Sequence, residues 1–362
     1  MQSKKSGKLI ALSAGLLLAW LSVSCTNENK LPPKPIDEGK ENEITFKYTV
    51  DPTGNADYSK VQDAIDAVRD GLEEHTYIFI KNGIYKEEII VPKNKNYLVL
   101  VGESLDGVIL TYDKAAEKIN PDTGSNYGTS GSFSTKVDGL GFAAVNITFE
   151  NNAGRDFGPA LAIYIGADKA IFLNCRFLGR QDTFFGGRSR IYVKESYIEG
   201  TVDFILGPAT AVFEDCNIHS YGGTSITAAS TEYYVDYGFV FHNCKLTAEP
   251  GVRTDLGRPW RPYAAVAYLG CTMGGFIKPA GWNNWGKVEN EETARFVEYQ
   301  NNGEGSETDG RVSWCKILTN KGEADKFEPL EIFKKNYAEI PIEDNWNPYK
   351  VVDKINTLVS KK

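Results

Sequence analysis

A single-stranded parallel β-helix is the fold predicted for this chain. Three observations predict it: a recurring unit, a column of small side chains within it, and little helical periodicity before residue 320. The unit reads Leu173-Asn174-Cys175-Arg176-Phe177, Lys194-Glu195-Ser196-Tyr197-Ile198 and Glu214-Asp215-Cys216-Asn217-Ile218. It continues as His242-Asn243-Cys244-Lys245-Leu246 and Leu269-Gly270-Cys271-Thr272-Met273. With Cys175, Ser196, Cys216, Cys244 and Cys271 equivalent, the steps are 21, 20, 28 and 27 residues. Short β-rich runs separated by polar turns at this period indicate coils of a solenoid, each burying its apolar face on its neighbours. A β-sandwich also has many short strands, but it does not explain one column repeating at nearly constant phase.

The elements follow in chain order. Ser59-Lys60-Val61-Gln62 has the pattern of a capping box, opening a helix over 59–70 with Val61, Ala64, Ile65 and Val68 on one face. That helix is the natural cover for the open end of the stack. Strands are expected at 77–80, 97–101, 144–149 and 170–173, with further coils beyond. After Glu328, the apolar residues Leu330, Ile332, Phe333, Val351, Val352 and Ile355 predict helices packed on the outside. Residues 44–355 therefore read as one all-β domain with an N-terminal capping helix and C-terminal helices.

The first 25 residues have the pattern of an export signal. Lys4, Lys5 and Lys8 precede the apolar run Leu9 to Leu21, and Ser22-Val23-Ser24-Cys25 ends it. A small residue before Cys25 resembles a bacterial lipoprotein processing site, with Cys25 lipidated and the protein tethered to the outer membrane. Residues 26–43, with Pro32, Pro33 and Pro35 among charged residues, read as a flexible linker. The five later cysteines are odd in number and four share a stacking position, which predicts a buried thiol column rather than disulfides.

A net charge of −8 gives no general field for nucleic acid. Three histidines without close spacing and no CxxC pair give no metal signature. Asp182 lies seven residues after Cys175, and Asp203 seven after Ser196. Stacked coils would bring these carboxylates to roughly 5 Å, the spacing of adjacent strands. Two such acids resist joint ionisation, so one should hold its proton while the other stays anionic. Acyl transfer and glycoside chemistry both use such a pair. Turn aspartates also cap backbone N–H groups in solenoids, and spacing alone leaves both roles open. In Leu256-Gly257-Arg258-Pro259-Trp260, Arg258 is a candidate clamp for one acid and Trp260 a candidate sugar-stacking surface. A surface Arg and a core Trp are the plain alternatives.

Gly-Arg180-Gln181-Asp182-Thr, Gly-Thr-Val-Asp203-Phe-Ile-Leu-Gly and Leu-Gly-Arg258-Pro-Trp260, in this order, resemble the signature blocks of the pectin methylesterases. Gly83-Ile84-Tyr85-Lys86-Glu87, Pro279-Ala280-Gly281-Trp282 and Phe296-Val297-Glu298-Tyr299 resemble flanking blocks of the same family. The resemblance runs from about Lys47 to Ile317 and implies a right-handed parallel β-helix. It implies a carbohydrate esterase without metal or cofactor, whose partner is methyl-esterified homogalacturonan; export is expected from the N-terminal pattern, and a monomer because the lateral faces of a solenoid need no partner. Asp203 would be the nucleophile, Asp182 the acid and then the base, and Gln181 a donor to the oxyanion. Arg258 would hold Asp203, while Trp260, Phe204 and Phe185 would line the substrate groove.

The chain departs from that pattern at Pro159, where the family usually has a second oxyanion Gln, and Pro lacks both an amide side chain and an N–H. Pro208 replaces a usual Asn and Phe185 a common Tyr. A related esterase on another ester or thioester, and a glycan-binding protein without turnover, are the alternative readings.

Overall fold

The computed structural model describes residues 45–359. The predicted signal segment 1–25, with Cys25, and the linker 26–43 lie outside the described residues. One turn of the chain shows the architecture. Ala170–Leu173 leads through a corner into Arg176–Leu178, then into Phe184–Gly186, and the chain returns as Arg190–Lys194. The returning strand pairs in parallel with the first, Ala170 beside Ile191. Repetition of this path builds three parallel sheets of 11, 8 and 7 strands around one core, a right-handed β-helix.

The corner between the 11- and 8-stranded sheets explains the repeating unit. Asn146, Asn174, Glu195, Asp215, Asn243 and Gln300 take φ between 46° and 56° there. Polar residues, Asn and Asp foremost, tolerate this left-handed conformation, which turns the next residue inward. After Asn174, Glu195, Asp215 and Asn243, and after Gly270 at φ 65°, that next residue is the predicted column. Cys175, Cys216, Cys244 and Cys271 are buried free thiols. Each lies within 3.3–3.6 Å of two backbone carbonyls, one from its own coil and one from the preceding coil. The Ser196 hydroxyl fills the same place and accepts from the Cys175 N–H at 3.0 Å. The expected strand 144–149 is two strands, Ala143–Val145 and Thr148–Asn151, broken by this corner at Asn146.

Inside, aromatic rings stack from coil to coil. Phe149 and Phe177 are 5.5 Å apart, Phe213 and Phe241 4.7 Å, and Phe241 and Tyr268 4.4 Å. The open end is covered by the helix Val61–Ala67, which buries Val61, Ala64 and Ile65. Its cap differs from the sequence expectation. The Val61 and Gln62 N–H groups donate to the Glu87 carboxylate at 2.8 and 3.2 Å, and no side chain of the 59–62 segment caps them. An acid from the neighbouring coil satisfies both orphan donors and places negative charge at the helix N-terminus.

The C-terminal segment lies on the outer face of the 11-stranded sheet. The helix Pro348–Val359 buries Val352, Ile355 and Leu358, and Ile332 and Phe333 join the same apolar layer. Leu330 is instead 46% exposed. Arg190, itself 1% exposed, pins this segment by pairing with Asp168 at 2.7 Å and with Asp344 at 2.5 Å.

Candidate active site

The site is built at another corner, between the 8- and 7-stranded sheets. Phe184 pairs with Ile205 across adjacent strands, so Asp182 and Asp203, each two residues earlier, occupy equivalent positions in neighbouring coils. Both take left-handed backbone conformations, with φ of 63° and 51°. Their N–H groups remain in the ladder, donating to the Val202 and Ser225 carbonyls at 3.1 and 2.8 Å. The carboxylates are thus not consumed by capping their own turns. Only 6% of Asp182 and 5% of Asp203 is exposed, so both acids are largely removed from water.

Arg258 reaches Asp203 with two parallel bonds, Nε to Oδ1 at 2.9 Å and Nη2 to Oδ2 at 2.6 Å. It comes from Asp255–Pro259, in a row where Leu206, Ala228 and Arg258 lie side by side. The small Ala228 leaves the long side chain free passage back across one strand. The guanidinium also lies 3.7 Å from the centroid of the Trp285 ring. Stacking on one face and a bidentate carboxylate at the edge fix its plane, a geometry Lys does not reproduce.

Burial, then the charge of Asp203, lifts the Asp182 carboxyl to about 8, against a smaller opposing pull from Arg258. Burial also raises Asp203, while the bonds and charge of Arg258 act the other way. The net effect on Asp203 is upward; near neutral pH Asp182 keeps its proton, and the bidentate Arg258 orients Asp203 and favours its anionic form. This is the proton placement needed for nucleophilic attack by one acid and leaving-group protonation by the other.

Of the other predicted residues, Gln181 is half-buried immediately before Asp182, and its carbonyl accepts from the Ala160 N–H at 3.1 Å. Pro159 adjoins it in the preceding coil. Phe185 lies on the outer face of the 7-stranded sheet, stacked on Tyr164 at 4.8 Å and edge-on to Trp260 at 6.4 Å. Phe204 does not line the groove. It is fully buried in the interior cluster, because the corner at Asp203 turns the following side chain inward. Trp282 is likewise a core residue, donating to Glu298 at 3.0 Å.

Two aromatic residues of the site were missed from sequence. Tyr164 stands one 21-residue step before Phe185, so the repeat itself carried the signal. Trp285 follows Trp282 in an Asn- and Gly-rich turn, and no periodicity marks it. With Phe133 and Trp260, these residues surround the outer cluster of Leu161, Phe185, Leu206 and Ala228.

The pectinesterase family model matches residues 47–336. Pectinesterase 31 of Arabidopsis thaliana is 42% identical over 280 residues, covering 76% of this chain and 88% of its own. The chain spans about half the length of some longer relatives, 53% and 54% in two cases. Among solved structures, pectin methylesterase from carrot superposes with TM-score 0.75 at 31% identity, covering 80% of this chain and 93% of its own. A pectin methylesterase in complex with a hexasaccharide superposes with TM-score 0.72 at 26% identity, covering 84% and 98%. The matched span holds all of the acid, amide, arginine and aromatic positions described above, and the chain belongs to the pectinesterase family.

Proposed function

We propose that this protein hydrolyses the methyl esters of galacturonate in pectin, releasing methanol and leaving free carboxylates. One observation carries the chemistry: a buried, proton-holding Asp182 stacked on an Asp203 clamped by Arg258. Asp203 attacks the ester carbonyl, and the carbonyl π electrons move to oxygen. Gln181 donates to that oxyanion. As the tetrahedral adduct collapses, the C–OCH3 bond breaks and Asp182 gives its proton to departing methanol. Asp182, now a carboxylate, takes a proton from water, whose oxygen attacks the galacturonyl carbon of the mixed anhydride. Collapse restores the Asp203 carboxylate and leaves pectin with a free acid. Trp260, Phe185 and Tyr164 offer the sugar faces an aromatic floor.

We further propose that the protein is exported, and that it is a monomer because the lateral faces of the solenoid need no partner. The charged and apolar pattern of residues 1–21 supports export, and Ser24-Cys25 supports a lipid anchor. Residues 26–43 would then act as a tether and residues 44–355 as the catalytic domain.

The test is methanol release from highly methylated pectin by residues 26–362, with Asp203→Ala run beside it. Release by the parent and its loss in the folded variant are expected. Undiminished release from Asp203→Ala would remove Asp203 as the nucleophile.

A further inference from the structure

A cleft of about 500 Å³ opens beside the aromatic floor, on the side away from the two acids. Phe185, Trp260, Pro208 and Ser230 line it with the exposed Tyr233 and Tyr263, and the Arg188–Glu232 ion pair borders it. Its position follows from the strand directions. Asp182 and Asp203 precede the strands Phe184–Gly186 and Ile205–Gly207, whereas Pro208 and Ser230 follow Ile205–Gly207 and Ser225–Ala229. Acids and cleft therefore border opposite ends of the same short strands. At about 3.3 Å per residue, Phe185 stands roughly 10 Å beyond Asp182, and Pro208 roughly 16 Å beyond Asp203.

A pyranose linked through O1 and O4 has two edges. In galacturonate the C6 ester projects from one edge, and O2 and O3 project from the other. With C6 turned to Asp203 and the ring on the Phe185–Trp260 floor, O2 and O3 face this cleft. We infer that the cleft receives a substituent on O2 or O3 of the galacturonate being demethylated, so that decorated pectin is a substrate. The inference rests on the esterase reading above. The chemistry of the walls fits an acyl or glycosyl group. Trp260, Tyr233 and Tyr263 offer apolar faces, while Ser230 and the exposed Arg261 supply donors for a carbonyl or hydroxyl oxygen. The cleft also exceeds what one acetyl group fills, leaving room for a monosaccharide branch.

The experiment compares methanol release from three highly methylated polymers: plain homogalacturonan, the same chain acetylated at O2 and O3, and a chain bearing xylose at O3. The parent protein should act on plain polymer and on at least one decorated polymer at rates within roughly threefold, and the preferred decoration identifies the group the cleft holds. Ser230→Tyr should fill the cleft and reduce the decorated rate at least about tenfold while leaving the plain rate within twofold. Its plain-polymer rate doubles as the folding control. A second variant, Tyr233→Ala, removes an exposed wall and should raise KM on the decorated polymer alone.

Activity on plain polymer but on neither decorated polymer would overturn the inference. So would equal rates on decorated polymer for the parent and both variants. Release from none of the three polymers would overturn the esterase reading itself, and this inference with it.

Discussion

Asp182 governs two different pH dependences. In the proposed mechanism its proton goes to departing methanol, so turnover should fall as pH rises through about 8. In the same mechanism the acid limb reports ionisation of Asp203, and the two limbs are properties of the pair. A pH–kcat/KM profile without an alkaline decline would remove Asp182 as the acid. Stability runs in the same direction for a separate reason. The folded protein holds this proton more tightly than the unfolded chain, whose ordinary value is 3.8. Between 3.8 and about 8 the native state binds more protons, so stability is lost as pH rises across that window. Asp182→Asn should therefore melt higher than the parent at pH 9 and converge with it below pH 4, as read by thermal unfolding. At Gln181 the expected effect is on rate. With Pro159 unable to donate, Gln181→Ala should lower kcat by about 10²–10³ with KM little changed. A loss of less than threefold would assign the oxyanion to other donors. The acids were legible in the sequence because they share the phase of the coil. Arg258 was legible only through its motif, since its reach depends on the small Ala228 beside it and on Trp285 above it. Phe204 was misplaced because a left-handed residue reverses the inward–outward order of the one that follows.

At the scale of elements, the C-terminal helix depends on Arg190. This side chain bonds Asp168, Asp344 and the carbonyls of Phe333 and Lys335. Removing it leaves Asp344 with Lys169 alone and Asp168 with only the backbone N–H of residue 190, both acids being 30% exposed. Loss of a buried partner costs about 3–5 kcal/mol, and residual solvation of the acids brings the expectation for Arg190→Ala to about 2–3 kcal/mol. Chemical denaturation measures it directly, and amide exchange should rise first in 348–359. Acid should loosen the same attachment. Burial alone would raise Asp344, but its bonds to Arg190 and Lys169 prevail and hold it at about 2. Its contribution is complete above the unfolded value and disappears as pH falls through about 2. This latch was invisible in sequence, for Arg190 and Asp344 are 154 residues apart. The N-terminal helix was legible as a helix, from Val61, Ala64 and Ile65. Its cap was not, because Glu87 reaches it from a different coil.

For the whole molecule, the solenoid was legible because stacking forces identical environments on residues one coil apart. Four of the five column positions were chemically the same, and the fifth, Ser196, is isosteric with them. The N-terminal proposal is tested on the full chain. A lipid precursor should label the parent, and Cys25→Ala should lose both the label and sedimentation with membranes. Labelling that persists in the variant would place any lipid elsewhere.

The left-handed corners that carry Asp182 and Asp203 have an evolutionary consequence. Few residues accept that backbone, and Asn is the closest isostere of Asp among them. Exchange of one oxygen for an amide nitrogen at Asp203 would keep the corner, the neighbouring coils and one acceptor for Arg258. It would remove the nucleophile, one of the two bonds to Arg258 and the charge that helps raise Asp182. A pectin lectin therefore stands one substitution from this enzyme, with no refolding between them.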